Sequence, residues 1–188
     1  MAAVLVLLEL AFYALVIYTI YKVIWYIIKM CSFKKKIKAL GSSVKLERGI
    51  FDIMLGKKGV VDFTVDTPKV KYEVSVLSFI SNHGRWNIEK MGNGYCAEAY
   101  RTNKIFFNAE KHSERPESVI DYRGESRFQR TELLLDKKED PSVKQILLIY
   151  PRPQMLTYAH TRLDLLDSGS VVEGHEIMYL EDLINDLK

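Results

Sequence analysis

The chain has 188 residues, of which 48% are hydrophobic and 27% are charged, and its formal net charge at pH 7 is +3. This average composition excludes a disordered acidic chain and a strongly basic tail that coats nucleic acid. Once a hydrophobic N-terminal stretch is set apart, the remainder has the size of one domain, which can bury a core without a metal or disulfide staple.

The N-terminal stretch is hydrophobic as far as Ile28 and is interrupted only by Glu9 and Lys22. A helix of about 20 apolar residues crosses a bilayer core of ~30 Å, and this stretch is long enough. The best span runs from about Leu10 to Ile28, which places Glu9 at one interface and Lys22 within reach of the other. We therefore expect residues 1–30 to form a membrane-spanning anchor.

The residues at the C-terminal end of the span and directly after it carry the signals of a membrane boundary. Aromatic side chains favour that boundary, and lysines accumulate on its cytosolic side. The expected membrane-interface residues are Trp25, Tyr26, Lys29, Lys34, Lys35, Lys36 and Lys38. The five lysines would contact anionic lipid headgroups. Because the N-terminal side has no such lysines, we expect a single-pass protein with its N-terminus outside and most of the chain in the cytosol.

Three alternatives to a spanning helix are each consistent with part of this stretch. A cleaved signal peptide requires positive charge before the apolar run, whereas here the lysines follow it. An amphipathic helix lying in the interface would use Lys22 and Lys29, which are seven residues apart and form a polar stripe. The third alternative is a buried core helix.

We expect residues 31–41 to form a basic juxtamembrane linker and residues 42–188 to form a cytosolic α/β domain. Ser42 or Ser43 is predicted to cap a helix that ends at Gly56. Strands are then predicted at Val60–Val65 and Lys71–Phe79. The Gly92-Asn93-Gly94 turn predicts a hairpin between its flanking strands.

The second half of the chain changes character along its length. Residues 109–130 are highly charged and are predicted to form a long loop, with a strand returning at Thr131–Asp136. The apolar run Gln145–Tyr150 predicts a buried strand, followed by a helical stretch around Met155–Leu166, a strand and a C-terminal helix. The predicted fold is thus an N-terminal transmembrane helix plus one α/β (or α+β) domain, an antiparallel meander followed by a β-α-β-α unit.

The sequence contains few residue patterns that are typical of catalytic, cofactor or metal sites. Cys31 and Cys96 lack CxxC spacing and are expected to be free thiols, and no histidine pair has metal-ligand spacing. We therefore expect no cofactor and no metal site built on cysteine or histidine. The acidic residues of the predicted strands, Asp62, Glu73 and Glu98, have no lysine two positions later.

One short pattern, Asp121 followed by Asp136-Lys137-Lys138, resembles the metal site of restriction-endonuclease-like nucleases. In that family an acidic residue and a (D/E)xK triplet hold a cation that activates water, and the lysine orients the nucleophile. The resemblance implies catalytic roles for Asp121, Asp136 and Lys138. The pattern departs from the family because no helix is predicted between the triplet and the next strand.

Arginines in the charged segment are candidates for partner binding, namely Arg115, Arg123 and Arg127. Nucleic acid is not the expected partner, because interspersed glutamates and aspartates cancel most of the positive field. The leading hypothesis is a non-enzymatic, membrane-tethered domain that binds a protein partner or assembles as a homo-oligomer. The alternative is a membrane-tethered, metal-dependent nuclease.

Overall fold

The structure, a computed structural model, describes residues 2–40, 42–55, 61–80, 84–91, 94–101, 126–133, 135, 140, 142–159 and 163–188, with the backbone alone at residues 2, 3, 101 and 163. Within these residues the helices are α1 (Ala2–Lys38), α2 (Ile50–Met54) and α3 (Leu180–Asp186). The strands are β1 (Ser43–Leu46), β2 (Phe63–Asp66), β3 (Lys71–Leu77), β4 (Arg85–Met91), β5 (Gly94–Arg101), β6 (Ser126–Leu133), β7 (Val143–Ile149), β8 (Met155–Ala159), β9 (Leu163–Leu166), β10 (Val171–Val172) and β11 (His175–Tyr179).

Helix α1 is continuous over 37 residues and is long and apolar enough to cross a membrane. At 1.5 Å per residue its length is about 55 Å, well beyond the thickness of a bilayer core. All side chains from Val4 to Leu8 are more than half exposed, so apolar groups project on every side of this part of the helix. That exposure excludes the buried core helix that was one of the alternatives.

The strands form two mixed sheets. The first sheet has the order β1-β2-β3-β7-β11-β10, and the second has the order β6-β5-β4-β8-β9. Strand β7 is parallel to both β3 and β11, and β8 is parallel to β4, whereas the other neighbours are antiparallel. The chain crosses repeatedly between the sheets, which binds both into one unit.

Two apolar cores separate three layers. One core lies between the sheets, where the rings of Phe79 and Trp86 meet edge to face at 4.8 Å. The other lies between the first sheet and the helices α1 and α3. Strand β7 contributes to both, since Ile146 and Leu148 face the helices while Leu147 and Ile149 face the second sheet. Burial on both faces explains its continuous apolar sequence.

Several predictions from the sequence are confirmed. Strands β4 and β5 form the expected hairpin, with Met91 opposite Gly94. The apolar run that ends at Tyr150 contains the buried strand β7, and a strand followed by a helix completes the chain. The expected parallel pair is β7 with β11.

Two predicted helices are wrong. The segment expected to be helical up to Gly56 begins as strand β1, which pairs with β2, and only α2 is helical. The stretch Met155–Leu166 contains the antiparallel pair β8 and β9 instead of a helix. In both places an edge of a sheet offers backbone hydrogen bonds, and this tertiary pairing overrides a local apolar pattern that suits either structure.

The end of the expected loop and the C-terminal unit also need correction. Residues 126–130 belong to strand β6, which pairs with β5. The connection from β7 to β11 passes through strands of the second sheet, so the predicted β-α-β-α unit has no crossover helix among the described residues.

The described part of the basic segment 31–41 continues helix α1. Met30, Phe33 and Ile37 are almost completely buried against the first sheet, and we call them the packed face of α1. Their spacing places them on one side of a helix. The ring of Phe33 contacts that of Tyr150 at 4.9 Å. The last turns of α1 are therefore part of the core of the domain.

We predict that Phe33→Ala lowers the free energy of unfolding by about 3–5 kcal/mol, because it removes a fully buried aromatic side chain and leaves a cavity. The matched control is Lys36→Ala on the exposed side of the same helix, where a change within about 0.5 kcal/mol is expected. Denaturant titration of the detergent-solubilised chain measures both values. Equal losses would contradict a structural role of the packed face.

Candidate functional site

A buried carboxylate, Asp62, connects helix α1 to the sheets. It accepts hydrogen bonds from the Tyr26 hydroxyl at 2.8 Å, from Arg48 Nη1 at 3.2 Å and from the backbone N–H of Val76 at 2.6 Å. These donors lie on α1, after β1 and on β3. One carboxylate therefore holds three separate parts of the chain together.

The backbone fixes Asp62 in place before its side chain acts. Its N–H donates to the carbonyl of Val74, and its own carbonyl accepts from the N–H of Glu47. The Asp62 side chain is only 3% exposed and that of Arg48 22%, so their ion pair is largely excluded from water. Removal of one member of such a pair leaves an uncompensated charge, which is strongly destabilising.

Beside this junction lies a cavity of about 540 Å³ between α1, the end of β3 and β6. Its size is within the range of small-molecule binding sites. Helix α1 lines it with aromatic and cationic side chains, whereas the sheets contribute mainly apolar and hydroxyl groups. We call it the junction cavity; its α1 residues are Tyr18, Tyr21, Lys22, Trp25, Tyr26 and Lys29.

The junction cavity contains three of the residues that the sequence predicts for the membrane interface. Trp25, Tyr26 and Lys29 all line it, and the Lys29 ammonium lies 4.3 Å from the centre of the Trp25 ring. The remaining interface lysines point elsewhere: Lys35, Lys36 and Lys38 are exposed, and Lys34 is half-buried. The structure thus divides the expected interface residues into two groups.

A second polar group lies on the outer face of the second sheet. In β5, Tyr95, Ala97 and Ala99 face the core, so the alternate residue Glu98 faces outward. The Glu98 carboxylate accepts hydrogen bonds from the Tyr100 hydroxyl and from Arg127 Nη1, the latter at 2.7 Å.

Arg130 Nε lies 3.7 Å from the same carboxylate, and the four residues Glu98, Tyr100, Arg127 and Arg130 are called the Glu98 cluster below. Burial raises the pKa of the Glu98 carboxyl, but the hydrogen bonds from Tyr100 and Arg127 and the nearby positive charges outweigh burial and hold that pKa below its usual value. Burial, together with the bond to Glu98, raises the pKa of Tyr100 to about 12. Glu98 is therefore ionised and Tyr100 is protonated at neutral pH.

Polar contacts extend from this cluster across the sheet. Thr157 donates to the side-chain carbonyl of Asn87 at 2.8 Å, and Arg85 Nη1 donates to Thr157 at 3.2 Å. The guanidinium of Arg85 also lies 4.3 Å from the centre of the Tyr100 ring. Because these buried groups satisfy one another, the outer face is a fixed polar surface.

The remaining candidate residues fall in segments that the structure leaves out. Asp121, Asp136, Lys138, Arg115 and Arg123 lie outside the described residues. Within the part of the chain that is described, no group of three or more histidine, cysteine or acidic side chains could hold a metal ion. The nuclease alternative therefore stays a prediction.

Arg127 and the two cysteines are within the described residues. Arg127 is half-exposed and paired with Glu98, so an acidic partner would share a guanidinium that is already engaged. Both cysteines are free thiols; Cys31 is exposed and Cys96 is buried, and burial raises the pKa of the Cys96 thiol. Cys96 is thus a poor nucleophile at neutral pH.

The sequence predicts that Asp62 and Glu98 lie in strands, but it does not predict that each is the centre of a group of hydrogen bonds and ion pairs. Each interrupts an apolar strand, and a carboxylate in such a place needs a partner. That signal could have identified both residues as paired groups. It could not have identified Tyr26 or Arg127 as their partners, because those contacts join positions 36 and 29 residues apart.

Comparison of the chain with protein families, with curated proteins and with solved structures finds no match.

We predict that Asp62→Ala lowers the free energy of unfolding by about 3–5 kcal/mol, because the buried Arg48 charge loses its counterion. Tyr26→Phe removes one hydrogen bond to a charged group and should cost about 1.5–3 kcal/mol. The control is Asp66→Ala at the exposed end of β2, with a change near zero. Denaturant titrations should also show that the losses from Asp62→Ala and Tyr26→Phe are not additive; additive losses would contradict the contact.

A second prediction concerns the acid stability of the domain. Since the folded pKa of Glu98 is depressed, its stabilising contribution is present above the pKa of an unfolded glutamate, about 4.3. The contribution is lost as the pH falls from there through the folded pKa. Glu98→Gln should therefore be less stable than the unaltered chain at neutral pH, with a smaller further loss on acidification. Thermal unfolding at a series of pH values tests this, and an unchanged pH dependence would count against it.

Proposed function

We propose that this chain is a single-pass membrane protein whose cytosolic domain binds a protein partner, or a second copy of itself, at the bilayer surface. The observation that carries the proposal is the division of α1 into two functional parts. Its first part exposes apolar side chains on all sides, whereas its last turns are built into the core of the domain. A helix with that division both requires an apolar surrounding and fixes the domain next to it.

The length of α1 supports the same conclusion. Only about 20 of its residues are needed to cross the hydrocarbon core, so the rest extends beyond the bilayer. That extension carries the packed face. The Tyr26 hydroxyl, which lies inside the span expected from the sequence, also binds Asp62 of the domain, so we place the crossing part of α1 N-terminal to Tyr26. The domain is consequently held at a set height and rotation about the helix, instead of hanging from a flexible linker.

The proposed orientation rests on charge. Lysines are concentrated on the side of the span that bears the domain, and positive residues favour the cytosolic side. Lys35, Lys36 and Lys38 are exposed there. This distribution of charge supports an orientation with the N-terminus outside and the two sheets in the cytosol.

The outer face of the second sheet is the surface proposed to meet the partner. Arg127 and Arg130 of β6 are 52% and 42% exposed, and both are positioned by Glu98. Two guanidiniums held on one edge strand can bind carboxylates without first losing much side-chain freedom. The charged residues 109–125, with Arg115 and Arg123, precede this strand in the sequence.

Crosslinking of the full-length protein in its native membrane, followed by mass spectrometry of the adducts, tests the proposal. We expect recurrent crosslinks from residues around β6 to one protein or to a second copy of the chain. Arg127→Gln should reduce the yield of these adducts severalfold, because it removes one of the two exposed guanidiniums. The control Lys38→Gln makes the same change of charge on α1 and should leave the yield unchanged.

Two results would overturn the proposal. Release of the chain from membranes at alkaline pH would contradict a spanning helix. Only scattered crosslinks, unaffected by Arg127→Gln in a chain that keeps its circular dichroism spectrum, would contradict a specific partner.

A further inference from the structure

An exposed apolar patch lies beside helix α1. Phe51 and Leu55 are 77% and 75% exposed, and Ile80 is 85% exposed. Ile50 and Met54 are also at least half exposed, although Ile53 of the same short helix is buried. We call these five exposed residues the α2 patch. Exposed apolar surface of this kind is typical of a contact with a partner or a membrane.

The position of the α2 patch relates it to the bilayer. Helix α2 contacts α1, and both Ile53 and Ile80 line the junction cavity together with Tyr18 and Trp25 of α1. Tyrosine and tryptophan favour the headgroup level of a bilayer. The patch therefore continues the apolar surface of α1 onto the domain at that level. A bilayer in which α1 is embedded would cover it.

The charge of the junction cavity fits an anionic ligand. Four cationic side chains, Lys22, Lys29, Arg48 and Arg130, line it against two acidic ones, Asp62 and Glu132. Arg48 is paired with Asp62, and Arg130 with Glu98. Among the described residues neither Lys22 nor Lys29 has a carboxylate within ion-pair distance, so the cavity retains positive charge on the α1 side.

We propose that the junction cavity binds an anionic phospholipid of the membrane. Lys22 and Lys29 neutralise the phosphate, and the acyl chains run along the apolar side of α1 next to the α2 patch. This inference rests on the proposed function, since it requires α1 to be in a bilayer. It goes beyond a general attraction of lysines to anionic lipid because it assigns one built site.

The test uses the full-length chain in nanodiscs that contain equal amounts of phosphatidylglycerol and phosphatidylcholine. After mild detergent extraction, native mass spectrometry counts the lipids retained by the protein. We expect phosphatidylglycerol to be enriched over phosphatidylcholine. Lys22→Gln should lower that enrichment about fivefold, and Lys22→Gln with Lys29→Gln should lower it further by a similar factor.

Matched variants separate the site from general charge. Lys35→Gln with Lys36→Gln removes the same charge from the exposed side of α1 and should leave the enrichment unchanged. Lys29→Arg keeps the positive charge and should retain most of it. Equal losses from the two double variants, or retention of both lipids without preference, would overturn the proposal.

Two further readouts identify the source of any failure. Alkaline extraction of the same membranes reports whether the chain is inserted, so release would refute the spanning helix itself, whereas insertion without lipid preference would refute only the site. Inorganic phosphate is added as a competitor in the native mass spectrometry. Displacement of the lipid by phosphate at equal concentration would show that the site takes a free anion, and would overturn the assignment to a phospholipid.

Discussion

Burial of the packed face of α1 against the first sheet is the interaction on which the rest of the structure depends. Met30, Phe33 and Ile37 fill the surface of the sheet that α3 covers only in part. The ring of Phe33 lies 6.4 Å from that of Phe63 on β2. Because the same helix continues without a break toward the N-terminus, the core of the domain and the apolar segment belong to one rigid element. Folding of the domain and placement of the apolar segment are thereby coupled.

The buried pair of Asp62 and Arg48, together with Tyr26, also fixes the rotation of α1 against the sheet. An apolar face alone would tolerate small rotations of the helix, whereas the hydrogen bond from Tyr26 to Asp62 requires one orientation. The same carboxylate receives Arg48 and the backbone of Val76, so its position is determined by three elements at once. A buried carboxylate is costly unless several donors surround it, which explains why these donors converge. The junction cavity lies between α1, the end of β3 and β6, next to this carboxylate.

The two polar sites of the domain, one around Asp62 and one at the Glu98 cluster, differ in the kind of ligand that they could bind. Around Asp62 the charges are largely paired with one another inside the domain. Lys22 and Lys29 line the adjacent cavity, which is next to exposed apolar surface. On the second sheet the Glu98 cluster leaves two guanidiniums half-exposed above a satisfied polar network. The first environment suits an amphiphilic anion, and the second suits carboxylates of a protein. Both sites lie along β6, since Arg130 contributes to each.

The sequence by itself determined the elements whose signals are local: the apolar N-terminal helix, the hairpin of β4 and β5, the doubly buried strand β7 and the C-terminal strand and helix. Only the tertiary structure decided that β1, β8 and β9 are strands, because their hydrogen bonds come from sheet partners distant in sequence. It also decided that the segment expected as a linker is core helix, since lysines alternate there with buried residues. The contacts of Asp62 and Glu98 could not be predicted for the same reason. A carboxylate in an apolar strand indicates that a partner is required, but the partner is distant in sequence and only the fold brings the two together.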